Sequence, residues 1–313
     1  MAPRPRSPSK DSVAPTLSIG ALSEATGIGV ETLRAWERRY GRPRPRRLPS
    51  GHRRYEPGDV AGLRLAAEAV ARGRRPSEVL ALGPSALERL LGALGSSPGT
   101  REGEDLTDLL ALVRAFRGAG LRAALFQRAR RLGPRDFVTR VAEPFGVLVG
   151  RRWASGALAI RHEHFATETV SEVLGELRSR LRRPRAGAPL LLFTTLPGER
   201  HGVGCAVAAL LARVRGARAQ VLGADTPVEE IASAAMEAGA CGVGVSVSLA
   251  TGGVATDRRL SELRRRLPPS VSLVVGGRGA RGPRKRLGGM TFATDPAEFE
   301  AWLDDRLLSS PTP

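Results

Sequence analysis

Residues 190–204 read LLLFTTLPGERHGVG: an apolar run with strand character, followed by a loop that holds Glu199 and His201. The runs AQVLG, GVGVSVS and VSLVVGG follow it, separated by Ala-rich amphipathic stretches. Helices are expected from Pro227, near Arg258 and after Asp295-Pro296, with a basic loop before the last. Strands alternating with helices imply βαβ units and a parallel sheet over 190–313. In such open sheets, ligands sit beyond the C-terminal ends of the strands. His201 lies there, and Glu199 two residues earlier can accept its Nδ1 proton. That fixes the tautomer and leaves Nε2 free to coordinate. Gly202 and Gly204 let a large flat ligand approach the backbone. No GxGxxG follows the first strand and no Walker lysine is present, so dinucleotide and P-loop readings are disfavoured.

Upstream, residues 106–181 read as four helices, broken at Gly118–Gly120, Gly133-Pro134 and Ser155-Gly156. The segment RRPRAGAP (182–189) is a linker. Within the bundle, Trp153 is separated by nine residues from Glu163-His164. A core tryptophan beside a solvated, charged helix explains these three residues in isolation. Thr167, Val170, Leu174 and Leu177 continue the same stripe, however, and an ionisable pair beside an apolar face needs a partner. A bound polar ligand would supply one.

Further upstream, residues 17–82 are helical with short turns. Ser18 can cap a first helix running through Ala25, and Gly27 permits a tight turn. A second helix is expected over Val30–Tyr40, so the pair forms a helix-turn-helix. Val30, Leu33 and Trp36-Glu37 give its core face, and Arg34, Arg38 and Arg39 can face DNA. Pro49-Ser50-Gly51 suits a hairpin tip carrying Arg53 and Tyr55 beside phosphate. A third helix is expected near Pro57, with Glu56 as cap. Residues 83–105 read as a linker with one short helix at its centre, and residues 1–16 as a disordered tail.

The chain has 313 residues, enough for two domains or three small ones. Lys plus Arg number 49 against 31 acids, a formal charge of +18, and only Lys10 and Lys285 are lysines. A GC-rich genome explains part of the arginine excess but not the shortage of acids. The balance favours a polyanionic partner, double-stranded DNA above all. Two cysteines, Cys205 and Cys241, cannot form a zinc site alone and suit a reducing compartment. No apolar run approaches the roughly 20 residues of a membrane helix, and the first residues do not form a signal peptide. A cytoplasmic protein is expected.

Three stretches carry resemblances. IGALSEATGIGVETLRAWERRYG, GHRRY and DVAGLRL resemble the winged-helix DNA-binding domain of the MerR family. The likeness implies DNA contacts at Thr32, Arg34, Arg38, Arg53 and Tyr55. Gly29 departs from the usual Ser or Thr cap, at little cost. No long heptad run or cysteine cluster follows, so a metal-sensing role is not expected. Glu199-x-His201-x-x-Gly204 resembles the cobalamin-binding motif, in which the histidine displaces the cofactor's own base and ligates cobalt. The likeness extends to Ser246-Val247-Ser248 and Gly276-Gly277, which in that family line the cavity for the displaced nucleotide tail. It implies a flavodoxin-like, Rossmann-like domain.

Trp153, nine residues and Glu163-His164 resemble the cap motif of the CarH-type photoreceptor regulators. In that group a MerR domain, a four-helix bundle and a cobalamin domain follow in this order. Adenosylcobalamin lies between bundle and α/β domain, with the Trp, Glu and His around its adenosyl group. Members repress transcription as dark homo-oligomers, tetramers by that likeness. Well-known members have a histidine after the Trp that captures cobalt in the light; here the residue is Ala154, whose methyl cannot. The expectation is a non-enzymatic, light-responsive, adenosylcobalamin-binding repressor. A corrinoid methyl carrier would share the α/β domain but has no DNA-binding domain. A cobalamin-sensing or cobalamin-independent MerR-type regulator without light sensing stays open.

Overall fold

The computed structural model describes residues 16–48, 50–71, 73–94, 105–248, 251, 254–280 and 287–308. The expected disordered tail therefore lies outside the described residues, Thr16 excepted.

The helix-turn-helix forms as its caps dictate. Helix α1 (Ile19–Thr26) starts at Ser18, whose Oγ accepts a hydrogen bond from the Ala21 N–H at 3.1 Å. It stops at Gly27, where φ is +69°, a conformation that costs other residues steric strain. Helix α2 (Val30–Tyr40) buries Leu33 and Trp36. Strands β1 (Arg46–Arg47) and β2 (Arg53–Arg54) pair antiparallel as the wing. Helix α3 (Asp59–Ala71) starts two residues later than Pro57, because the Glu56 carbonyl instead closes a turn onto the Asp59 N–H.

Two short helices follow, α4 (Pro76–Val79) and α5 (Pro84–Leu94). The second overturns the expectation that 83–105 is mainly linker. Its Leu87 and Leu91 are buried in the same core as Leu22, Leu33, Trp36 and Leu63, so the first domain reaches at least Leu94. Residues 95–104 lie outside the described residues.

The bundle comprises α6 (Thr107–Arg114), α7 (Gly118–Leu132), a third rod and α10 (Ile160–Arg180). The third rod runs through α8 (Pro134–Phe137), a π-turn at Val138–Ala142 and α9 (Glu143–Ala154). The first break falls at residues 115–117, and Gly118–Gly120 open the next helix instead of interrupting it.

In the C-terminal domain, β3 (Leu190–Thr195), β4 (Arg218–Gly223), β5 (Gly242–Ser246), β6 (Ser272–Gly276) and β7 (Thr291–Ala293) form one parallel sheet in the order β4-β3-β5-β6-β7. That is the flavodoxin-like order. Strand β7 was not legible in the sequence, being three residues long and at an edge. Helices α11 (Val203–Val214), α12 (Val228–Glu237), α13 (Val254–Arg266) and α14 (Pro296–Leu308) cover the faces.

Bundle and sheet are not separate bodies joined by a linker. One core contains Leu121, Phe137, Phe145 and Leu174 of the bundle together with Leu191, Phe193, Leu211 and Trp302 of the α/β domain. Helix α10 lies against α11, and Glu163 in its first turn comes close enough to His201 for its charge to act there. The opposite sheet face has its own core around Ile231, Val243, Leu260 and Val275.

Candidate ligand site and nucleic-acid interface

The chain reverses its direction of winding between β3 and β5, which lie side by side in the sheet. Loops leaving such a switch point diverge and open a crevice. Glu199 and His201 lie in the loop after β3 there, Ser246 ends β5 and Ser248 follows two residues beyond it. The Glu199 carboxylate is 2% exposed. Its Oε1 lies 2.6 Å from His201 Nδ1 and accepts the His201 backbone N–H at 2.9 Å. Its Oε2 accepts the Ser248 backbone N–H at 2.7 Å and the Thr251 hydroxyl. Burial alone would raise the Glu199 pKa, but the donors from His201, Ser248 and Thr251 outweigh it and hold the carboxyl down to about 2. His201 is pushed the other way, above an ordinary histidine, by its hydrogen bond to Glu199 against the opposing effect of burial.

Half of the His201 side chain is exposed, and among the described residues Nε2 has no partner. With Nδ1 facing a carboxylate, Nε2 is the nitrogen left to coordinate. Among the described residues no three His, Cys, Asp or Glu side chains gather for a metal. One imidazole suits a metal whose equatorial positions a macrocycle fills, so this donor set fits a corrin.

The expected glycines are explained first by packing. A Cβ on Gly204 would strike Ser246 Oγ, so α11 approaches β5 this closely only with glycine. A Cβ on Gly277, where φ is +91°, would strike the Val247 carbonyl. Gly276 pairs with Ser246 at the ends of β6 and β5. The residues around the crevice thus lock onto one another. Cys205 is buried beside them, its thiol pushed up to about 12 by burial, and is no nucleophile.

The three expected cap residues part company. Glu163, in the first turn of α10, accepts the Thr167 hydroxyl at 2.8 Å, and its charge reaches His201 across the domain boundary. His164 has a side chain 69% exposed, its Nε2 3.6 Å from Glu163 Oε2. Trp153 is half-buried between the bundle core and the DNA-reading core. Its indole Nε1 is buried and has no hydrogen-bond partner. An orphaned donor in a protein interior is uncommon and fits a place where a polar ligand belongs.

On the first domain, Arg34, Arg38 and Arg39 of α2 are exposed, and Thr32 is half-buried. Arg34 pairs with Glu31 at 2.7 Å. Arg46, Arg47 and Arg53 make the wing basic. Tyr55 corrects the expectation drawn from the sequence. Its ring is fully buried and its hydroxyl donates to Glu37 Oε2 at 2.9 Å, so it is not a surface for phosphate. Glu37 Oε1 holds Arg53 Nε at 3.0 Å. One carboxylate therefore ties the wing to α2.

Residues 18–55 match the MerR family regulatory protein, residues 106–178 a B12 binding domain and residues 189–290 a second B12 binding domain. Over 85% of its length the chain is 32% identical to the HTH-type transcriptional repressor CarH of Myxococcus xanthus, covering 90% of that protein. The chain belongs to the CarH and CarA family of MerR-type regulators. Its identity to CarA of the same organism, likewise an HTH-type transcriptional repressor, is 30%, covering 85% of this chain and 88% of CarA. The monomethylamine corrinoid protein of Methanosarcina barkeri shares the fold of the bundle and α/β domain. Its TM-score is 0.51 at 18% identity, over 63% of this chain and 96% of that one.

This CarH- and CarA-type chain is thus a regulator with a MerR-type DNA-binding domain and B12-binding domains. Among its described residues no helix is long and apolar enough to cross a membrane. Sequence reasoning missed Thr251, Glu37, Arg64, Glu68 and Arg278. Thr251 and the last three act across distances no local pattern encodes. Glu37 carried a signal: an acid inside a strongly basic recognition segment needs a reason.

Proposed function

We propose that this protein is a DNA-binding repressor, acting in the cytoplasm, whose assembly is set by adenosylcobalamin and light. The observation that carries the reading is the Glu199–His201 pair at the switch point, with Nε2 free. His201 would ligate cobalt through Nε2, and Glu199 keeps its ring oriented. Gly204, Ser246, Ser248, Gly276 and Gly277 would border the nucleotide tail. Trp153, Glu163 and His164 would meet the upper ligand, Trp153 by stacking and by its unpartnered N–H. When bound, adenosylcobalamin supplies a cobalt–carbon bond that visible light breaks.

In the dark, a filled site would hold the start of α10 against the loops after β3 and β5 and create a surface for further copies, four in the assembled form. Several DNA-binding domains on one assembly gain affinity through effective concentration. Thr32, Arg34, Arg38, Arg39 and Arg53 would contact operator DNA. Loss of the adenosyl group would remove its contacts with Trp153 and Glu163, so that the assembly would weaken and release DNA. Such a ligand acts only through different affinity for the two arrangements. Repression is the role named for CarH and CarA.

The test is the visible spectrum of the purified protein with adenosylcobalamin, before and after green light, with operator binding followed in parallel. A protein-bound spectrum of nitrogen-ligated cobalt that changes on illumination, together with loss of operator binding, is expected. Cofactor that does not stay with the protein on gel filtration, or operator binding indifferent to cofactor and light, defeats the reading.

A further inference from the structure

Helix α3 of the DNA-binding domain presents Arg64 and Glu68, one turn apart, to the rest of the protein. The Arg64 guanidinium carbon lies 3.6 Å from the centre of the Trp153 ring. Its Nη1 donates to the Trp153 carbonyl at 2.9 Å, and its Nε to the Ala25 carbonyl at 2.8 Å. Both carbonyls belong to the last turns of helices, α9 and α1, where the negative end of the helix dipole favours a cation. The planar ion thus closes two helix ends and lies on an aromatic face, an arrangement suited to arginine and not to lysine. Among the described residues no carboxylate pairs with it, and burial pushes Arg64 down to about 10.

The second anchor is one turn away. Glu68 is 7% exposed and accepts from Arg278, which directly follows Gly276-Gly277. Helix α3 therefore reaches from Trp153 of the bundle to the glycine loop of the α/β domain. Both are places where the proposed function puts ligand, whereas the DNA-facing side chains of α2 and the wing lie elsewhere and stay exposed.

We propose that the Arg64–Glu68 face of α3 is a clasp that fixes the DNA-binding domain in the ligand-free protein, and that a ligand stacked on Trp153 displaces Arg64 and frees that domain. This rests on the reading that Trp153 belongs to the upper-ligand pocket. The ring face under Arg64 can hold the guanidinium or a flat ligand, not both. Filling the site then costs the clasp, and the coupling is reciprocal: opening the clasp strengthens ligand binding. The freed domain can take the orientation that an operator-bound assembly requires.

The full-length chain is titrated in the dark with adenosylcobalamin and, separately, with hydroxocobalamin, which places no nucleoside on the upper face. Wild type, Arg64→Met and Glu68→Gln are compared. Methionine keeps the apolar stem and removes the charge. Arg64→Met is expected to bind adenosylcobalamin about fivefold tighter or more, at the lower end of allosteric couplings, with a smaller change for hydroxocobalamin. Glu68→Gln moves in the same direction. Equal or weaker adenosylcobalamin binding by Arg64→Met overturns the clasp. Absence of binding by wild type overturns the functional reading itself. Should Arg64→Met fail to fold, hydrogen exchange of wild type with and without adenosylcobalamin decides. Faster exchange at Ala25–Gly27 and Trp153–Gly156 with ligand supports the clasp; unchanged or slower exchange overturns it.

Discussion

The Glu199 carboxylate accepts the backbone N–H of Ser248 at 2.7 Å, so a residue from the loop after β3 is fastened to the end of β5. The same carboxylate orients His201. A buried charge is tolerated because each oxygen has donors. Replacing it with Gln puts an amide N–H₂ against donors. Glu199→Gln should lose about 1–3 kcal/mol of stability and about 10–100-fold in cobalamin affinity, read by thermal melts and spectral titration. The pH dependence has a definite sign. A carboxyl lowered to about 2 contributes stability above its ordinary value of 4.5, which is lost as pH falls through about 2. Apo wild type should lose this increment on acidification, and Glu199→Gln should not.

His201→Ala removes a half-exposed ring together with one donor to the buried Glu199 carboxylate, and should lower the melting temperature modestly. Cobalamin should bind more weakly and show its base-on spectrum, because no imidazole competes with the cofactor's own base. An unaltered spectrum and affinity would show that cobalt is held elsewhere.

Arg34, Arg38 and Arg53 should contribute to operator binding in two distinguishable ways. Loss of a base-edge contact costs about 1–3 kcal/mol and relaxes sequence preference. Loss of a phosphate contact lowers the salt slope by about one. Single alanine variants, titrated with operator over a range of salt, separate the two. Intact binding in the triple variant would move the interface to another surface.

Tyr55→Phe tests the buried reading of that residue. It removes one hydrogen bond to Glu37 and should cost about 1 kcal/mol of stability, with operator affinity falling by no more than the slackening of Arg53 allows. A large affinity loss with an unchanged melt would return the hydroxyl to the DNA contact surface.

Ala154 offers no nitrogen to cobalt. After illumination the wild-type spectrum should lack a bis-imidazole signature, and added imidazole should bind readily. Ala154→His should gain that signature and retain cofactor longer on dialysis. A bis-imidazole spectrum in wild type, abolished by His162→Ala or His164→Ala, would show another histidine moving in.

The sequence by itself determined whatever depends on neighbours along the chain. Ser18 and Gly27 bracket α1 because a cap and a left-handed turn act within one or two residues. The apolar runs became β3, β5 and β6 because a strand covered on both faces must be continuously apolar, whereas β4 at the sheet edge is largely exposed. Glu199 and His201 meet because two residues along one loop can turn to the same side. Only the tertiary structure decided what depends on docking. Ser248 and Thr251 reach Glu199 from across the sheet. Leu87 and Leu91 make a supposed linker part of the first core. Tyr55 turns inward, since burying an aromatic ring with its hydroxyl satisfied by Glu37 outweighs leaving it in water. Arg64 finds Trp153 across 89 positions because α3 packs on α9, and spacing within either helix carries no information about which faces will meet.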